Sequence, residues 1–373
     1  MNVEKNVREQ LRGMPPTVHG GRAWKLGDVE DFSHNLNPFG PPDFIGEIMA
    51  SAASEVWHYP DDDCSQLKGV IAGEFSLDPS NVMVGAGSSE LIRAFPQVFL
   101  DKGDRAVIPR PSFAEYAHQC RIAGVQVVDS LLTESDDFRI DEKRLRDLVS
   151  RGAKALYVCN PNNPTGRIEP RDKILGIVEY CMSKGVMVFL DETLLELVPC
   201  HRDVSCSAYV DEYPNLVVAC SLTKSFAIPG IRIGFGFAAP ETAAHMDKVR
   251  MTWNVGAVEQ LVATELIGKH MPYVERAADM MRSESVWMYD QLKEIGFPVT
   301  TRPDSFFFFN SLKPLGIDAP GFVDRMLDHR IMVRDCSSFG MPFGSYVRFC
   351  VKDRERNTAF VHAVHDVLRS LGW

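Results

Sequence analysis

Between residues 81 and 238 the chain alternates short apolar runs with helix-forming segments, and this rhythm constrains the fold more than any other feature. Leu156-Tyr157-Val158-Cys159, Val186-Met187-Val188-Phe189-Leu190 and residues 216–220 are continuous apolar runs. Apolar strands separated by helices mark an α/β chain whose mostly parallel sheet is covered by helices on both faces. After Pro240 the pattern changes. Helical stretches at 241–250, 257–269 and 273–295 lead to runs at 305–310, 331–334 and 346–350 that read as strands of a smaller α+β unit. The four phenylalanines of that first run, 306–309, read as a buried strand packed on both sides. No internal repeat, low-complexity tract or long linker interrupts this order. At 373 residues the chain exceeds a single typical core, and 45% hydrophobic residues suffice to bury two.

The chemistry sits where the apolar runs end. The run 216–220 leads into Ser221-Leu222-Thr223-Lys224, and Arg232 follows the lysine by eight residues in Ile228-Pro229-Gly230-Ile231-Arg232-Ile233-Gly234. A lysine between a hydroxyl and a guanidinium suits a phosphorylated aldehyde: the amine forms a Schiff base, and the hydroxyl and arginine bind phosphate. Pyridoxal 5'-phosphate is the obvious ligand. An S-x-x-K also opens the nucleophile motif of some β-lactam-binding enzymes, but the companion S-D-N and K-T-G motifs are missing.

Upstream, Gly85-Ala86-Gly87-Ser88-Ser89-Glu90 follows a strand at 81–84 and precedes the helix-like Leu91-Ile92-Arg93-Ala94-Phe95. Backbone N–H groups and the hydroxyls of Ser88 and Ser89 would there meet an anion at a helix N-terminus, forming a phosphate cup. A dinucleotide fingerprint is the competing reading. It lacks its third glycine, and the next strand ends in Pro109-Arg110 rather than in an acid for a ribose.

With Asn160-Pro161-Asn162-Asn163-Pro164-Thr165-Gly166 and Asp191-Glu192-Thr193 closing the two other apolar runs, the chain resembles the fold-type I aminotransferase superfamily over almost its whole length. The resemblance implies that Lys224 carries the cofactor as a Schiff base and that Asp191 pairs with its pyridinium nitrogen. It implies that Asn163 bonds the ring hydroxyl, that Phe113 stacks on the ring, and that Ser88, Ser89, Ser221 and Arg232 hold the phosphate. Tyr59, in His58-Tyr59-Pro60-Asp61, matches a tyrosine that reaches the phosphate from a neighbouring subunit, so a homodimer is expected. The same resemblance assigns 45–255 to a large cofactor-binding domain and joins 1–44 to 256–373 as the small one. A carboxylate beside the ring nitrogen keeps it protonated and makes it the better electron sink.

Two features bear on the reaction. Thr17-Val18-His19-Gly20-Gly21 and the stretch from Asp31 through Asn37-Pro38-Phe39-Gly40-Pro41-Pro42 resemble the N-terminal pattern of threonine-phosphate decarboxylases, cobalamin-pathway relatives of histidinol-phosphate aminotransferases. Position 194, three after Asp191, is leucine, where the aminotransferases of this group usually carry tyrosine and the decarboxylases an apolar residue. By the same resemblance Arg348, in a penultimate strand, matches the substrate-carboxylate arginine and Arg334 a substrate-phosphate ligand, with His19 and Asn37 as further substrate contacts. The expected reaction is decarboxylation of threonine phosphate or serine phosphate, with a histidinol-phosphate-type aminotransferase as the alternative.

A formal charge of -10, from 40 basic and 50 acidic residues, and the lack of a basic block argue against a nucleic-acid partner. No apolar run approaches the ~20 residues of a membrane span, and Met1-Asn2-Val3-Glu4-Lys5 does not begin a signal peptide, so a cytoplasmic enzyme is expected. The nine cysteines are scattered and form no CxxC pair, unlike a disulfide framework or a zinc site. Cys200-His201 with Cys206 reads as a surface loop.

Overall fold

The structure, a computed structural model, describes residues 3–15, 20, 23–299 and 302–373. A short strand, β1 (Glu30–Asp31), precedes seven that form one sheet: β2 (Val82–Gly85), β3 (Arg105–Arg110), β4 (Gln126–Leu131), β5 (Ala155–Cys159), β6 (Met187–Asp191), β7 (Leu216–Cys220) and β8 (Gly234–Ala238). Their order is β2-β8-β7-β6-β5-β3-β4. The neighbours from β7 to β4 run parallel, while β8 is antiparallel to both β7 and β2.

Both faces of this sheet are covered, which explains the apolar runs. Leu156, Val158, Val188, Leu190 and Val218 enter one core cluster, and Ala155, Tyr157, Phe189, Val217 and Ala219 enter the other. The alternation is that of a pleated strand buried on both sides. Register fixes the exits: Cys159 lies opposite Asp191, which lies opposite Ala219, and Gly85 lies opposite Gly234. The carboxyl ends of β2, β5, β6 and β7 therefore open at one edge, together with the start of β8. In sheets of this kind ligands bind at that edge.

The remaining strands are β9 (Phe307–Ser311), β10 (Ile331–Met332), β11 (Arg334–Asp335) and β12 (Tyr346–Cys350). Three of them form an antiparallel sheet, β11-β12-β9, while β10 pairs in parallel with β1. The helix Met271–Glu294 runs for 24 residues, and the closing helix Arg354–Ser370 is capped by the Asp353 side chain on the Arg356 N–H.

Several expectations shift. The single strand at 331–334 is two short strands in different sheets: Met332 offers its carbonyl to Phe32, whereas Arg334 pairs with β12. The strand carrying Arg348 is the last among the described residues, not the penultimate. Asn81 precedes its strand because its side chain is bound to Asp211 and the Ala238 carbonyl. Cys206 is not at the surface: it is buried in the main core, and its N–H donates to Glu192 at 2.8 Å. Among the described residues no cluster of histidine, cysteine or acids is arranged for a metal, and no helix is long and apolar enough to cross a membrane.

Candidate active site

Asp191 ends β6 with 5% of its surface exposed. The Tyr116 hydroxyl donates to Oδ2 at 2.6 Å and the Thr193 N–H to Oδ1 at 2.9 Å. Burial pushes the carboxyl up, while the bonds from Thr193 and Tyr116 and the charge of Lys224 pull it down. Beside it in register, burial and the Asp191 charge push the Cys159 thiol up to about 12, so it is an uncharged wall.

Lys224 lies in the short helix Leu222–Ser225, where the Ser221 hydroxyl caps the Thr223 N–H at 3.2 Å. Burial, then the charges of Arg348 and Arg232, lower its amine to about 8, against the opposing pull of Asp191. An amine with such a value is partly neutral near physiological pH, as a nucleophile must be. The turn is held from both sides. Asn37 donates its N–H to the Lys224 carbonyl at 3.0 Å and its carboxamide to the Ser225 carbonyl at 2.8 Å, and the Ser225 hydroxyl donates to buried Glu196.

The cup forms where β2 passes into the helix Ser88–Phe99. Gly87 has φ +83°, and a Cβ there would sit 2.2 Å from an Arg232 guanidinium nitrogen. A Cβ on Gly234 would fall 2.2 Å from the Ser88 backbone nitrogen. Only glycine lets these three segments close on one another. The Ala86 N–H and the Asn254 amide both bond Glu90 at 2.7 Å, which fixes the loop.

Arg334 on β11 and Arg348 on β12 are direct register partners. Arg348 is 8% exposed and donates to the Asn163 side-chain oxygen and the Ser33 carbonyl, both neutral acceptors. Its guanidinium is lowered to about 10, by burial first, with the Arg334 charge adding. Arg334 donates to the Ser338 hydroxyl at 2.8 Å.

One cavity of about 300 Å³ is lined by Ser88, Ser89, Phe113, Asn163, Asp191, Leu194, Ser221, Lys224, Arg232, Arg334 and Arg348. Eleven residues singled out from four strand exits, one strand entrance, one helix start and two distant strands thus share one space. Two do not join them. Asn37 is spent beneath the lysine turn rather than on the wall, because its side chain is bound to the Ser225 carbonyl and the Phe39 N–H. Tyr59 is 72% exposed and stacks on Trp253 at 4.1 Å, outside the cavity. His19 lies outside the described residues. The sequence reading missed Tyr116, whose position one helical turn after Phe113 was the available signal, and also Thr193, His34 and Asn35 on the wall.

A phosphorylated pyridine aldehyde fits these donors: a partly neutral amine, a buried carboxylate, an aromatic wall at Phe113, and a helix N-terminus whose glycine cradle closes on an arginine. The model for aminotransferase class I and II matches residues 28–364. A histidinol-phosphate aminotransferase of Symbiobacterium thermophilum is 29% identical over 97% of this chain and 99% of its own. A protein of Caldanaerobacter subterraneus subsp. tengcongensis, provisionally named a threonine-phosphate decarboxylase, is 30% identical over 94% of each. The crystal structure of the histidinol-phosphate aminotransferase from Clostridium acetobutylicum matches with a TM-score of 0.83 at 27% identity, covering 92% of this chain and 100% of that one. The fold, the lysine–aspartate pair and the matched family model lead to one conclusion: the chain belongs to the class I and II aminotransferase family, whose enzymes depend on pyridoxal 5'-phosphate.

Proposed function

We propose that this protein decarboxylates an O-phospho amino acid, threonine phosphate or serine phosphate, to the matching aminoalcohol phosphate. The observation that carries a phosphorylated substrate is the register pairing of Arg334 with Arg348 on the wall of the cavity that Lys224 also lines. A guanidinium grips either carboxylate or phosphate in two places. Leu194, apolar and on the same wall, tilts the choice toward decarboxylation.

Bound pyridoxal 5'-phosphate supplies an electron sink for the bond broken at the substrate Cα. In this reading Ser88, Ser89, Ser221 and Arg232 hold its phosphate, Asn163 its ring hydroxyl, and Phe113 packs on its face. A second copy of the chain would bring Tyr59 to the phosphate. Asp191 holds a proton on the ring nitrogen and is itself oriented by Tyr116 and Thr193. Arg334, with His19, takes the substrate phosphate, and Arg348 holds the carboxylate until the Cα–carboxylate bond breaks and carbon dioxide leaves. The Lys224 side chain, in its ammonium form, would then deliver to Cα the proton that replaces the departed carbon dioxide.

A second reading, transamination of histidinol phosphate, is favoured by the names of relatives such as the Symbiobacterium enzyme. Carbon dioxide release from threonine phosphate and serine phosphate, run beside transamination of histidinol phosphate with 2-oxoglutarate, separates the two. Release with little transamination is expected. Rapid transamination with no carbon dioxide would replace the decarboxylase by the aminotransferase.

A further inference from the structure

The segment from Ser33 to Asn37 runs between Arg348 and the Lys224 turn, and its first three residues line the cavity. At one end the Ser33 carbonyl accepts from Arg348, and at the other the Asn37 N–H donates to the Lys224 carbonyl. Midway, the His34 carbonyl accepts the Leu36 N–H at 3.1 Å and the Cys350 thiol at 2.9 Å, which pins the strap to β12. Asn35 stands between these ties. It is 4% exposed, lines the cavity, and neither its side-chain nitrogen nor its oxygen has a partner among the described residues. The Nε of Arg348 is likewise unpartnered. A buried carboxamide with both ends unmet is costly, and such groups are ordinarily satisfied. Asn310 is also orphaned, but it is not on the cavity wall, so its unmet bonds point to no ligand there.

We infer that Asn35 is a substrate-binding residue that, with the Nε–H of Arg348, receives the α-carboxylate of the amino-acid substrate. Both residues line the same cavity and both keep buried N–H groups unpartnered among the described residues, which are donors of the kind a planar carboxylate takes. The doubly charged phosphate, costlier to desolvate, goes to the less buried Arg334. Asn35 therefore selects for substrates that carry a carboxylate beside the amine. The inference rests on the decarboxylase reading for its choice of ligand, though not for the carboxylate itself.

The test compares ligands that differ only in that carboxylate, by calorimetric titration of the cofactor-loaded enzyme carrying Lys224→Ala, so that nothing turns over. Asn35→Ala and the isosteric Asn35→Asp should weaken threonine phosphate about 10- to 100-fold, as for loss of a bond to a charged group, and aminopropanol phosphate by under about 3-fold. Asn35→Ser replaces either variant if it fails to fold. Equal losses for both ligands, or no loss for threonine phosphate, would overturn the inference. If the parent protein ignores both phosphorylated compounds but prefers glutamate over γ-aminobutyrate, the decarboxylase reading fails, and the same ratio measured on that second pair still decides the role of Asn35. A parent protein with no preference in either pair also overturns it.

Discussion

Replacing Glu196 by glutamine isolates the charge beneath the lysine turn. Glu196 is 6% exposed, its Oε2 accepts from Ser225, the residue after Lys224, and its Oε1 has no partner among the described residues. Burial raises its carboxyl from 4.5 to about 7, against the bond from Ser225, and the Glu74 charge raises it further. Below pH 4.5 the group is protonated in both folded and unfolded chains and costs nothing. As pH rises toward 7 the unfolded chain ionises first, so stability falls, and above 7 the penalty is constant. At 1.36 kcal/mol per pH unit, the move from 4.5 to about 7 amounts to about 3 kcal/mol. Glu196→Gln keeps an acceptor for Ser225 and removes the titration. Guanidinium unfolding of parent and variant at pH 5 and pH 8 should show the variant gaining on the parent by about 2.5 kcal/mol at the higher pH, since part of the penalty is already present at pH 5. The difference belongs to this carboxyl and to the part of the Glu192 shift that its charge causes, since that charge also raises Glu192. A parallel pH dependence in the two proteins would refute the reasoning.

Asp191→Asn should retain the cofactor yet lose on the order of 100-fold or more in turnover, and the Lys224 amine of the cofactor-free variant should titrate below about 8, because the lost carboxylate no longer holds it up. Near-normal turnover would contradict the ring-nitrogen role, and an unmoved amine would contradict the electrostatic account. Gly87→Ala forces a side chain into φ +83° and against Arg232, so affinity for pyridoxal 5'-phosphate should fall about 10-fold or more, read by equilibrium titration. Unchanged affinity would remove Arg232 from the cup. Arg334→Ala and the use of unphosphorylated threonine should each lower kcat/KM, and together should fall short of additivity by about 1–3 kcal/mol, as two halves of one interaction do. Simple additivity would separate Arg334 from the substrate phosphate.

What could be read from the sequence was whatever sits where a strand stops. Asp191, Lys224, Ser221 and the Gly85–Ser89 loop each follow a continuous apolar run, so strand register alone carries them to one edge. Contacts between elements were harder to see. Tyr116 reaches Asp191 across 75 residues, from a helix onto a strand end, and no spacing rule encodes that meeting. The strap at 33–37 has no helical or strand period to tell which asparagine faces inward. Hydrogen bonds to the lysine turn decide it, taking Asn37 and leaving Asn35 to the cavity. The run at 331–334 reads as one strand because its residues share a propensity, yet its two halves find different partners.

The central claim is that Lys224 is the amine that binds the cofactor. Borohydride reduction of the cofactor-loaded protein, followed by peptide mapping of the pyridoxyl adduct by mass spectrometry, tests it most directly. The account predicts a single modified peptide carrying the adduct on Lys224, absent from Lys224→Ala, whereas an adduct on any other lysine would contradict it.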